Sequence, residues 1–483
     1  MNFQLMARAR TETRSPRVGT TLWRSMGVAG NILLCLMLLA QPLSAQTASQ
    51  PDREQLLNGL RLLFWPRPGS PDVILKLRIN SGAAFDLEGK AGQMALLGDS
   101  LFPDAATIEF FTEEMNGKLD VTVTYDSTTI TMVGKASEFE QIVGILRNAL
   151  LTTQLSAENV SRTREARIKL LRDSAIVPAS VADRAIDARL FGDFPYGRPA
   201  SGSPEDVARI ERADLMLAEE RFLNSNNATL AIVGGVTKQR ALKTVRQLLG
   251  PWRKSEEIVP TTFRQPAPPD ARILLVNVPG PTVELRLAVR GVARADRDFA
   301  AATVLAKLAQ HRWEATTPEL SKEPVFVRND SHVLPGAFVM GAAVRDLSVA
   351  DSFANAQKVV KSLMSTPATP AEIERAKNEA IAEFAATANT PDALPDPWLD
   401  ADTYRLSRPQ DQIALMRSVT PSEAQRVANR LFNKPIASVA AGESAALKAA
   451  LQGRYEYEVL GEIAPPTPST NPPAKPATND RPR

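Results

Sequence analysis

Histidine and cysteine are almost missing from this chain. Its 483 residues hold two histidines, His311 and His332, and one cysteine, Cys35. The histidines lie 21 positions apart, so a zinc site built from two imidazoles one helical turn apart is excluded by composition. Each is expected to be an ordinary hydrogen-bonded or solvated side chain. A serine-type triad would also need a nucleophile and an orienting acid, which sequence does not locate. One cysteine leaves no intrachain disulfide. No Gly-rich phosphate loop or EF-type loop occurs, and Gly234-Gly235, which follows Leu230 to Val233, reads as the end of a buried strand.

Charge of one sign is lacking as well. The formal net charge is +3, but the first 45 residues carry Arg8, Arg10, Arg14, Arg17 and Arg24 against Glu12, so the remainder is close to −1. Such a balance points neither to nucleic acid nor to an anionic membrane surface. The arginines precede the apolar run Gly27 to Ala40 and then Gln41 to Ala45. That run is too short to span a bilayer comfortably and has the form of an export signal, with cleavage expected after Ala45. Periplasmic or other export follows, and the membrane enters only if this segment stays uncleaved. Cys35 lies inside the run behind Leu34, where a lipoprotein signal needs a small residue. At the other end, residues 462–483 are Pro-rich and apolar-poor, which predicts a disordered tail.

What is present is a repeat. Arg61 opens RLLFWPRPGSPDVILKLRI and Arg272 opens RILLVNVPGPTVELRLAV, 211 positions later. Ser156 and Thr369, 213 apart, open SAENVSRTREARI and TPAEIERAKNEAI. Arg221 and Arg430, 209 apart, open RFLNSNNATLAIVGG and RLFNKPIASVAAGE. Two copies of one unit follow, expected at 46–250 and 271–461, with a Pro-rich linker at 251–270. Leu119 to Gly134 alternates apolar and polar residues across Tyr125-Asp126-Ser127, which predicts a β-hairpin. Phe139 to Leu151 has helical spacing, and Thr369-Pro370 has the form of a helix start. Hairpins with intervening helices predict an α+β fold, helices packed on mostly antiparallel sheets.

The stretch Asn58 to Phe102 reads strand, turn, strand, then a helix opening on Gly92. With LFGDFPYGRPASGSPEDVARIERADL, which carries Pro195-Tyr196-Gly197 and Gly202, and with RFLNSNNATLAIVGGV after it, this order resembles the pitrilysin/insulinase family of inverted zincins, which includes the mitochondrial processing peptidases. The resemblance covers roughly Gln55 to Leu460. It implies two related α+β domains around a chamber. It also implies a helix carrying His-x-x-Glu-His, in which two imidazoles hold Zn²⁺ and the Glu takes a proton from bound water. Here that register holds Ala95-Leu96-Leu97-Gly98-Asp99. Family enzymes take a third ligand from a Glu seven residues after another acid; Glu165 fits the acid, and Arg172 stands in the ligand's place. A guanidinium has no lone pair for zinc. The metal positions Ala95, Gly98, Asp99 and Arg172 are thus degenerate, and no catalytic residue and no cofactor is expected.

The family's second domain supplies an Arg and a Tyr that hold the substrate backbone. PELSKEPVF, Pro318 to Phe326, is the matching stretch, with Glu319 near the Arg position and Phe326 near the Tyr position. Arg312, Lys322, Phe326 and Arg328 are the candidate substrate contacts; as ordinary surface charges the cations would do nothing special. Three functions stay open. The chain is a pseudopeptidase that partners an active zinc-peptidase subunit, completes its chamber and holds peptide substrate. It is a self-contained structural or binding protein of the cell envelope. Or it hydrolyses peptides through an atypical oxygen-ligand site built from Asp99 and Asp173, although such sites favour Mg²⁺ or Ca²⁺.

Overall fold

The computed structural model describes residues 50–152, 155–174, 177–316, 325–344 and 349–460. The first sheet is built from β1 (Asp52–Gln55), β2 (Arg61–Pro66), β3 (Asp72–Ile79), β4 (Lys118–Val123), β5 (Thr128–Lys135) and β6 (Ala228–Gly234), in the order β1-β2-β6-β3-β5-β4. The second is built from β7 (Ile273–Asn277), β8 (Val283–Arg290), β9 (Val325–Asp330), β10 (Ala337–Val344), β11 (Ala437–Gly442) and β12 (Tyr457–Val459), in the order β12-β7-β11-β8-β10-β9. β2 runs parallel to β6 and β7 parallel to β11, while the pairs that follow across each sheet are antiparallel. The arrangement β2-β6-β3-β5-β4 therefore recurs as β7-β11-β8-β10-β9, and only the outermost strands β1 and β12 differ in direction. Two mixed sheets packed with helices make this an α+β fold.

The helices of the first stretch are α1 (Gln93–Asp99), α2 (Ala105–Glu109), α3 (Phe139–Leu151), α4 (Ala157–Asp173), α5 (Pro178–Phe191), α6 (Pro204–Ala208), α7 (Arg212–Phe222) and α8 (Lys238–Leu249). Those of the second are α9 (Phe299–Thr316), α10 (Val349–Ser365), α11 (Pro370–Ala386), α12 (Asp396–Thr403), α13 (Pro409–Ser418), α14 (Pro421–Phe432) and α15 (Ser444–Leu451). The sequence signals for the helix starts hold. Ser156 caps α4 by accepting from Asn159 N, and Thr369 caps α11 in a capping box with Glu372, with Pro370 in the first turn. All three repeated segments fall on equivalent elements: β2–β3 with β7–β8, α4 with α11, and α7–β6 with α14–β11. The linker, 251–270, forms neither helix nor strand. Among the described residues no helix is long and apolar enough to cross a membrane.

Strand periodicity divides each sheet into two faces. Val73, Leu75, Leu77 and Ile79 of β3 join the core made with α1, α3, α7 and α8; Val283, Leu285, Leu287 and Val289 of β8 join the core made with α9, α10, α11 and α14. The opposite faces are covered by exchange. α5, from the first stretch, lays Ala182, Ile186 and Leu190 on Ala288, Val339 and Val439 of the second sheet. α12, from the second stretch, brings Trp398 and Leu399 onto Trp65, Ile74 and Val233 of the first. An ion pair pins each exchanged helix. Lys76 Nζ donates to Asp396 at 2.9 Å, and the fully buried Arg286 donates through Nε to Asp183 at 2.7 Å. Lys76 and Arg286 are the same position of the two repeats.

Candidate functional site

α1 is the helix on which a zinc peptidase of this outline would carry its ligands. Gly92 begins it with φ +90, and a Cβ there would lie 2.8 Å from Gly202 Cα, so the helix entry is closed to side chains. Asp86 secures the first turn, accepting from Gly92 N at 2.7 Å and Met94 N at 2.8 Å. Burial pushes its carboxyl up to about 7 despite those hydrogen bonds. The start of α1 is thus well built, and its ligand positions are not.

Ala95 is buried and has no donor atom. Gly98 faces Val121 and Val123 of β4; a Cβ added to it would sit 3.1 Å from Val121 Cγ1 and 3.4 Å from Val123 Cγ2. A side chain at that position would have to displace those of the strand. Asp99 is engaged by Arg167 Nη1 at 2.6 Å, and Arg167 is fixed by donating through Nε and Nη2 to Ser201 O at 3.1 and 2.9 Å. A guanidinium on α4 thus balances the one carboxylate of the motif, where an enzyme would balance it with a metal ion. Arg172, in the third-ligand register, is exposed, and Asp173 pairs with Lys169 one turn back on the same helix. Among the described residues no group of three or more His, Cys, Asp or Glu is arranged to hold a metal. The donor set does not fit zinc: alanine and glycine offer nothing, and each acid is held by its own cation.

The candidate substrate contacts fall in two places. Arg312 on α9 donates to Glu372 Oε1 at 3.0 Å and to the carbonyls of Ser362 and Thr366, tying α9 to α10 and α11 on the outer face. Phe326 and Arg328 lie on the edge strand β9, against α5. The Phe326 ring sits between the guanidinium groups of Arg286 and Arg328, 4.8 and 5.1 Å from its centroid. It occupies room left by Gly341. Arg328 pairs with Asp330 at 2.6 Å and Asp183 at 3.2 Å. Phe326 and Arg328 are thus brought together and Arg312 is not; Lys322 and Glu319 lie outside the described residues, as do the leader, Cys35 and the tail.

Both histidines are hydrogen-bonded to carboxylates that only the fold supplies. His311 Nε2 meets Glu379 Oε2 at 2.6 Å between α9 and α11. His332 Nδ1 meets Asp126 Oδ2 at 3.1 Å. Asp126, buried, also accepts from the hydroxyls of Tyr196 and Tyr404 at 3.3 and 3.2 Å and from Val333 N at 3.2 Å. Burial first, then the Asp126 charge, pushes both phenols up. This junction joins the β4–β5 turn, the loop after α5, the segment after β9 and the end of α12. Sequence reading took Tyr125-Asp126-Ser127 only as a hairpin turn; a carboxylate in a turn followed by strand residues carried no other signal.

Comparison with known proteins finds likenesses to one family. Residues 209–380 match the family model described as the peptidase M16 inactive domain. Over those residues the chain is similar to the peptidase M16 family. Among curated relatives, mitochondrial cytochrome b-c1 complex subunit 1 of Homo sapiens is 24% identical over 212 residues, 42% of this chain and 44% of that protein. An uncharacterized zinc protease of Mycobacterium tuberculosis is 24% identical over 217 residues, 43% of this chain and 49% of that protein. The chain thus spans about half the length of the curated relatives it matches. Solved structures show a likeness of fold over most of the chain. A peptidase M16 inactive domain from Pseudomonas fluorescens superposes with TM-score 0.72 at 18% identity, covering 82% of this chain and 98% of that one. A protease from Helicobacter pylori gives 0.72 at 16%, covering 82% and 100%. The M16 likeness thus rests on residues 209–380 and on the fold, and the register Ala95, Gly98 and Asp99 offers no imidazole.

Proposed function

We propose that this chain is the non-catalytic partner of an active, zinc-bearing subunit of the same fold, completing a chamber and holding extended peptide while the partner hydrolyses it. The observation that carries this reading is selective loss: the two-sheet framework and the capped start of α1 are kept, whereas Ala95, Gly98 and Arg172 occupy the ligand and base positions and Arg167 neutralises Asp99. The name of the human relative, a subunit of a larger complex, agrees with a partner role. Peptide holding is supported by β4, an edge strand that among the described residues pairs with β5 alone, so its other side offers backbone groups to an added strand. Export is part of the proposal and rests on the arginine-led leader.

A self-contained binding or structural role in the envelope is the second reading. It is favoured by one specific observation: Arg312 and Arg328, the cations offered for substrate, are both held in internal ion pairs. Co-purification of the tagged chain from its native host separates the two. The partner reading expects a stoichiometric second subunit bearing His-x-x-Glu-His; recovery of the chain alone, with no peptidase attached, sinks it.

A further inference from the structure

Where the two halves meet, a partly open cavity of about 410 Å³ is lined by residues that correspond across the repeat. Asp187 on α5 matches Asp400 on α12, Phe191 matches Tyr404, and each pair is 213 positions apart, the spacing of the repeated helices α4 and α11. The helices are exchanged in the same way, and the lysine–aspartate pair Lys76–Asp396 has its counterpart in Arg286–Asp183. The correspondence fails at one place. Asp400 receives the guanidinium of Arg78 from β3, but the residue of β8 at the position of Arg78 is Ala288. Asp187 therefore faces the cavity without the cation that its twin has.

Arg328 and His332 lie within electrostatic reach of Asp187, but among the described residues no cation is hydrogen-bonded or ion-paired to it. Of the three carboxylates lining the cavity, Asp400 is held by Arg78 and Asp330 by Arg328, while Asp187 accepts no hydrogen bond from the described residues. Rings surround the space: Tyr125, Tyr196 and His332 lie 4.5 to 5.2 Å apart, centroid to centroid, and Phe191 and Tyr404 add two more walls. A carboxylate with aromatic faces around it is the chemistry that recognises organic cations. The volume lies in the range of small-ligand sites.

We propose that this cavity binds the guanidinium or alkylammonium head of an organic cation against Asp187, in the role that Arg78 plays toward Asp400. The charge environment fits. Burial, together with Asp330 and Asp183, pushes the Asp187 carboxyl up to about 7, opposed by Arg328 and His332. A bound cation would hold it ionised, so binding at neutral pH releases protons. The site exists within one chain and does not depend on a partner subunit, so its failure and that of the partner reading are separate results.

The test is titration of the full chain with methylguanidinium, followed by calorimetry in two buffers of different ionisation enthalpy. Saturable binding with proton release, weakened at least tenfold in D187N, is expected. Ala288→Arg supplies the missing guanidinium internally and should abolish binding while raising the melting temperature. The peptide acetyl-Gly-Arg-Gly-amide identifies the source: tighter binding than methylguanidinium assigns a peptide side chain, and equal or weaker binding assigns a free small cation. Absence of saturable binding to the unmodified chain, or D187N binding as well as it does, overturns the proposal. If D187N does not fold, proton release by the unmodified chain decides alone, and its absence also overturns the proposal.

Discussion

Gly98 lies against Val121 and Val123, and a Cβ added there would press on both side chains. Gly98→Ala should lower stability by about 1–3 kcal/mol through overpacking, despite the gain in helix propensity, as read by urea unfolding. An unchanged or higher midpoint would mean that β4 yields and that the position is open. Two buried carboxyls set a pH dependence. The folded values of Asp86 and Asp187, about 7, lie above the ordinary 3.8, so the native state binds more protons than the unfolded chain between those values. Their contribution to stability is greatest below pH 4, falls as pH rises toward 7, and is level above it. D187N should therefore lose less stability than the unmodified chain between pH 5 and 7.5, compared by urea midpoints; identical slopes would contradict the assignment. The empty metal register was legible in the residues, since alanine and glycine lack donors whatever surrounds them. Arg167 on Asp99 was not, because 68 positions separate them and only the packing of α4 beside α1 brings them together.

Helix starts and hairpins were readable because their causes are local. Thr369 and Ser156 cap their helices through atoms three residues away, and Leu119 to Gly134 alternates because one face of the β4–β5 hairpin is buried. The exchange of α5 and α12 was not readable. The sequence places α5 within the first repeat, yet its apolar side covers the second sheet, and neither surface names the other. Arg286 is the element-scale test of that contact. It is fully buried and held by Asp183 and Glu284, so Arg286→Ala leaves Glu284 without its cation and Asp183 with Arg328 alone. Breaking such a pair costs about 3–5 kcal/mol, a loss measurable by guanidinium unfolding. A loss below about 1 kcal/mol would show that α5 is held by apolar contact alone.

Across the whole molecule the exchanged helices make each half the cover of the other. Residues 271–460 alone would expose Leu274, Val276, Ala288, Val339 and Val439, and residues 50–250 alone would expose Trp65, Ile74 and Val233. Both fragments are expected to aggregate or remain unfolded, and the intact chain to unfold in a single transition by calorimetry. Two separated transitions, or a soluble folded fragment, would refute this interdependence. By itself the sequence determined the duplication, the α+β class and the loss of a zinc donor set, because periodicity, spacing and atom type are properties of residues and their near neighbours. Tertiary structure alone decided which helix covers which sheet, that Asp126 gathers His332, Tyr196 and Tyr404, and that Asp187 is left without a guanidinium while its twin has one. Those facts depend on groups tens to hundreds of positions apart, and contacts at that range are fixed by packing the two halves together.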